Sequence, residues 1–174
     1  MRLSIVGCPD KERFRPFVKR AVQFYAKELM TEKMLDNIFV RVKFNNSLDV
    51  YGYASVEDYN ESGKPREFEI EIHPGIGATD ILKTLAHEMV HVKQYVYGET
   101  NEAMTRWRGL RVNSDDIDYW IQPWEIEAHG MEPGLFTKFA IKEKLWEIFE
   151  GVSNPEAPIQ NEKIKWIDYP LELL

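Results

Sequence analysis

His87 and His91 stand four residues apart in the run His87-Glu88-Met89-Val90-His91, and a glutamate directly follows the first of them. On an α-helix, residues i and i+4 lie one above the other on a single face, so both imidazoles can reach one metal ion. A zinc ion held by three protein side chains keeps a fourth position for water. It lowers that water's pKa to near 7 and leaves a nearby carboxylate, here Glu88, to accept the proton. The chain holds only four histidines. Chance placement of two of them at this spacing around a glutamate is on the order of one in a hundred or less.

The segment carrying these residues has a helical pattern. Ile81, Leu82, Leu85, Met89, Val92 and Val96 fall within one arc of about 100°, which is a core-facing stripe. His87 and His91 lie near the middle of the opposite arc, between Thr84 and Gln94, with Glu88 at its edge. Thr79 or Asp80 is placed to cap the helix and Gly98 to end it after Tyr97. An amphipathic surface helix would show the same stripe with its histidines in water. A functional reading needs later residues to roof the polar face and make it the floor of a cleft.

Around that helix the periodicity changes twice. Residues 11–31 carry apolar positions at helical spacing (Phe14, Phe17, Val18, Ala21, Val22, Tyr25, Leu29). Residues 38–44, 50–56 and 66–73 alternate with period two, and 60–65 is a polar turn. In the last of these strands Phe68, Ile70 and Ile72 alternate with Glu67, Glu69 and Glu71, the pattern of a half-buried antiparallel strand. Downstream, 107–112 reads as an extended or hairpin segment and Pro123 opens a helix. A further helix runs from Pro133 or Gly134 to Glu150. The stretch 154–174, with three prolines, reads as a tail packed over the surface and anchored by Trp166 and Ile167. This is an α+β class chain. The expected layout is one domain over 1–174, with a small, mostly antiparallel sheet packed on the motif-bearing helix and further helices on either side.

Composition narrows the setting. At 174 residues and 44% apolar, the chain can bury a sizeable core as one domain. A net charge of −7 argues against general nucleic-acid binding. Arg106, Arg108 and Arg111 around Trp107 form a small basic cluster whose plainer reading is a solvated loop. Cys8 is the only cysteine, so no internal disulfide points to an oxidising compartment. The apolar run Leu3–Gly7 is too short for a signal-peptide core, and no segment approaches a membrane span. A cytoplasmic protein is the expectation.

Two histidines normally need a third protein ligand. The metzincin extension is excluded, because Gln94 and Tyr97 occupy the positions where it requires Gly and His. The remaining candidates cluster in Pro123-Trp124-Glu125-Ile126-Glu127-Ala128-His129. With its HExxH motif and a later glutamate directly before alanine, the chain resembles the gluzincin arrangement of the zincin superfamily. It is similar in particular to ImmA/IrrE-type metallopeptidases and to small phage-type peptidases with a PWExEA motif. The resemblance covers about residues 66–140 and implies zinc held by His87, His91 and Glu127, with Glu88 as the base. Residues two apart on a helix project about 200° apart, so Glu125 and Glu127 cannot both face one ion. Glu125 or His129 therefore remains an alternative third ligand, His129 being nearer to SprT-like peptidases.

The function implied is zinc-dependent peptide hydrolysis by a metalloendopeptidase, with a metal-bound water activated by Glu88. The partner is a peptide or protein substrate laid along an edge strand near 66–73, where backbone hydrogen bonds extend the sheet. The strand's glutamates have the plainer role of guarding that edge against aggregation. Tyr119, His129 and Arg106 are candidates to stabilise the developing oxyanion. Two other readings stay open: a non-catalytic binding or regulatory protein on the same fold, and a zinc hydrolase of a non-peptide bond.

Overall fold

The computed structural model describes residues 1–154. The expected surface tail, with Trp166 and Ile167, therefore lies outside the described residues apart from Asn154. In chain order the elements are β1 (Arg2–Val6), α1 (Arg15–Leu29), α2 (Glu32–Leu35), β2 (Phe39–Phe44), β3 (Gly52–Tyr59), β4 (Pro65–Ile72) and α3 (Ala78–Tyr97). A short hairpin, β5 (Arg106–Trp107) and β6 (Leu110–Arg111), leads into α4 (Pro123–Glu143). The class is α+β.

The four-stranded sheet has the order β1-β2-β4-β3, with β1 and β4 both parallel to β2 and only β3 antiparallel to β4. This corrects the mostly antiparallel sheet expected from the alternation. Alternation places residues on faces but is blind to strand direction, which the connections decide. The chain crosses through α1 and α2 between β1 and β2, so those strands run parallel. The run Leu3–Gly7, read only as too short for a signal core, lies largely within β1.

β4 is internal, and this corrects the edge assigned to 66–73. Phe68, Ile70 and Ile72 are fully buried. The alternate glutamates are partnered on the opposite face of the sheet: Glu67 with Arg2 (3.3 Å), and Glu69 with Arg41 (3.4 Å) and Lys43 (3.3 Å). Glu71 pairs with Lys43 and accepts from Asn45 Nδ2 at 3.0 Å. They neutralise neighbouring strands rather than protect a free edge. The open edge beside α3 is β3.

Helix α3 runs through the middle of the molecule, against the sheet, α1 and α4. Ile81, Leu82, Leu85, Met89, Val92 and Val96 are buried as their spacing predicts. Gly98 ends the helix at φ +68°, a left-handed conformation suited to glycine. Gly77 is the residue before its first turn, and no side chain caps it; Thr79 and Asp80 fall inside the helix. In α1, Val18, Ala21, Val22, Tyr25, Ala26 and Leu29 are buried, and the Tyr25 hydroxyl donates to the Leu82 carbonyl at 3.1 Å, tying α1 to α3.

The two helices expected after Pro123 are one. α4 continues through Pro133, whose ring removes one backbone donor from the helix interior. Buried residues on both sides of the proline, Trp124 and Ala128 before it and Leu135, Phe139 and Ala140 after it, keep the helix packed as a unit. Among the described residues no helix is long and apolar enough to cross a membrane.

Candidate metal centre

The polar arc of α3 does not face water. α4 lies across it, and His87, Glu88, His91, Gln94 and Glu125 are all buried. Residues 119–121 form a 3₁₀ turn before α4, in which the Asp118 side chain accepts from the Trp120 N–H. This turn brings Tyr119 to the mouth of the site. The result is a cleft of about 570 Å³ lined by His87, Glu88, His91, Tyr119, Glu125 and His129, with Val50 to Ala54 along its β3 side.

Three ligand side chains converge at the cleft floor. His87 Nε2 lies 3.2 Å from Glu125 Oε2, and His91 Nε2 lies 3.4 Å from Glu125 Oε1. The two Nε2 atoms are 3.2 Å apart. A tetrahedral zinc site with bonds of 2.0–2.1 Å places its ligand atoms about 3.3 Å from one another. The buried Glu125 Oε2 has no hydrogen-bond partner despite its approach to His87. Two ring nitrogens and a carboxylate so close together require a shared positive centre, a proton or a metal ion. His87, His91 and Glu125 can hold such an ion.

Glu127 is not in this cluster, which corrects the ligand implied by the resemblance. Its carboxylate is held by Lys93 Nζ (3.0 and 3.1 Å), Arg108 Nη2 (2.7 Å) and Gln94 Nε2 (3.0 Å). The 200° separation of the two glutamates gives one of them to the histidines and the other to the cations beyond Gln94. Sequence spacing states that choice but cannot make it, since it depends on how α4 is rotated about its axis. His129 stays outside the cluster too. Its ring lies tilted between those of His87 (centroids 4.5 Å apart) and Trp120 (5.0 Å).

The electrostatics follow from burial and proximity. Burial works to lower the His87 pKa, but the Glu125 and Glu132 carboxylates outweigh it and push the ring up to about 9. Burial also opposes charge on His91, and Glu125 and Glu88 raise it. Glu125 would be raised by burial, yet the neighbouring His87 and His91 rings and the Tyr119 hydroxyl hold it below the usual carboxylate range. Glu88 is pushed the other way: burial raises its pKa, with the two histidines only partly opposing. Burial together with the charge on His87 lowers His129.

These shifts set an expected pH dependence for the metal-free protein. His87 binds its proton more tightly when folded, so its contribution is complete below its ordinary value of 6.5 and is lost as pH rises toward about 9. The Glu125 contribution is present above its ordinary value of 4.5 and is lost as acid protonates the folded carboxylate. Thermal unfolding of chelated protein should therefore show Tm falling as pH rises from 6.5 toward about 9. In His87→Ala the decline should be shallower. An equal decline in both would show that the ring does not hold this proton.

Several residues of the site carry no sequence signal. Gly52 sits against Glu88: a Cβ there would come within 2.4 Å of Thr84 Cγ2 and 3.0 Å of Glu88 Oε1. Glu132 approaches His87 Nδ1 at 3.4 Å, one turn beyond His129. Gln94 does have a signal, being three residues after His91 on the same face, although its position served only to exclude the metzincin pattern. Of the donor candidates, Tyr119 and His129 line the cleft, whereas Arg106 lines a separate depression with Arg111 and Asn113.

No protein-family model matches the chain, and no curated protein or solved structure matches it either.

Proposed function

We propose that the protein is a zinc-dependent peptidase in which His87, His91 and Glu125 hold the metal and Glu88 acts as general base. The observation that carries this reading is the convergence of three buried side chains whose ligand atoms approach to 3.2–3.4 Å in an open cleft, with a second carboxylate, Glu88, outside the cluster. A structural zinc site needs no spare base and is usually closed and cysteine-rich, so Glu88 favours catalysis. Bound there, zinc would polarise the scissile carbonyl and activate water near neutral pH.

The chain's own residues supply the rest. Glu88, desolvated and raised in pKa, takes a proton from the attacking water and passes it to the leaving amine. Tyr119, which lines the cleft with Glu125, stands there as a donor to the developing oxyanion. The substrate's place is along β3. The Tyr51 carbonyl accepts from the His73 N–H at 2.9 Å, so by alternation the backbone groups of Gly52 and Ala54 turn away from β4 toward the open side. An extended peptide added there would run past His87 and Glu88. Gly52 leaves room for Glu88 beneath it. A cytoplasmic setting belongs to the same proposal, supported by the free thiol of Cys8.

Protein purified without added zinc should carry about one zinc per chain and cleave an unfolded polypeptide. Chelation should stop the cleavage, and zinc should restore it. Protein without stoichiometric metal, or cleavage indifferent to chelation, would overturn the proposal.

A further inference from the structure

Gln94 is fully buried, yet the hydrolytic chemistry does not call for an amide at its position. Its side-chain nitrogen donates to the Trp124 carbonyl at 2.9 Å and to Glu127 Oε2 at 3.0 Å. A backbone carbonyl and an ionised carboxylate only accept, so the NH₂ end of the amide faces them and Oε1 faces the other way. That oxygen lies 2.9 Å from His91 Nδ1. An amide oxygen cannot donate, so Nδ1 carries the proton. In the neutral ring the lone pair then belongs to Nε2, the atom 3.4 Å from Glu125 and 3.2 Å from His87 Nε2.

We propose that Gln94 is the positioning residue of the metal centre: its amide, clamped between Glu127 and the Trp124 carbonyl, holds His91 in the Nδ1–H form with Nε2 aimed at the ion. This rests on the reading of the cluster as a metal site. It also gives Glu127 a role. Lys93, itself bonded to Glu99 at 2.6 Å, and Arg108 hold the Glu127 carboxylate in place. Reversing the Gln94 amide would set its oxygen against two other acceptors in a buried site, so the clamp selects one orientation. The Trp124 carbonyl adjoins Glu125 in the chain. The same amide therefore joins α3 to the turn of α4 that delivers the third ligand.

The test is zinc affinity, measured by competition with a chromogenic chelator. Gln94→Met keeps the volume and removes the acceptor, and zinc should bind about 10–100-fold more weakly than to the wild type. A Gln94→Met protein that binds zinc within about threefold of wild type would overturn the proposal. If Gln94→Met does not fold, ¹⁵N NMR of the zinc-loaded wild type decides: a protonated Nδ1 and a coordinated Nε2 on His91 are expected, and coordination through Nδ1 overturns the assignment. Wild-type protein that takes up no zinc would refute the metal reading itself, and the role of Gln94 with it.

Discussion

Glu88→Gln should abolish hydrolysis while leaving zinc in place. Glu88 is buried and lies at the cleft beside Gly52, outside the cluster formed by His87, His91 and Glu125. Its only chemical assets there are a charge and a basic oxygen. Glutamine keeps the shape and removes both. Loss of a general base costs about 10²–10⁴ in rate, and the loss should fall on kcat with KM little changed. Because burial already penalises the charged carboxylate, the substitution should not reduce stability. Activity equal to wild type at equal zinc content would remove Glu88 from the mechanism.

The second large effect separates two glutamates that sequence alone leaves in competition. Glu125→Ala removes an oxygen from a cluster whose members are 3.2–3.4 Å apart, leaving two histidines that cannot fill a zinc coordination sphere. Its zinc affinity should fall by more than the about 10–100-fold that an outer contact is worth. Glu127→Ala removes only the clamp on Gln94, so its loss should stay within that range, and Lys93 keeps Glu99 as a partner. Zinc titration of the two variants side by side measures the difference. Equal losses, or a larger one in Glu127→Ala, would refute the assignment of Glu125.

The legible part of this site is the part held on one helix. His87, Glu88 and His91 lie within five residues, where a 3.6-residue repeat fixes which side chains share a face. The core stripe of α3 was readable for the same reason. Legibility fails where two elements meet. The sequence shows that α4 can offer Glu125 or Glu127, but the rotation of α4 follows from how Trp124, Ala128, Leu135 and Phe139 pack, and from the cations awaiting Glu127. The roof over the histidines was legible only as a requirement, since nothing in the polar arc of a helix says what will cover it.

The sheet divides in the same way. Period-two alternation assigns Phe68, Ile70 and Ile72 to the core side of β4, and each is buried. Strand order and direction leave no trace in that alternation. They depend on pairing between residues far apart in the chain, such as Val40 with Phe68 and Gly52 with Ile72. β4 is consequently an interior strand, and the open edge belongs to β3. By itself, then, the sequence determined the metal-capable pair, the neighbouring carboxylate and the helix that carries them, because local geometry suffices for residues one turn apart. Only the tertiary structure decided which glutamate joins them, which strand borders the cleft and which amide meets His91. Those choices arise from packing between elements, and packing is settled by the whole core at once.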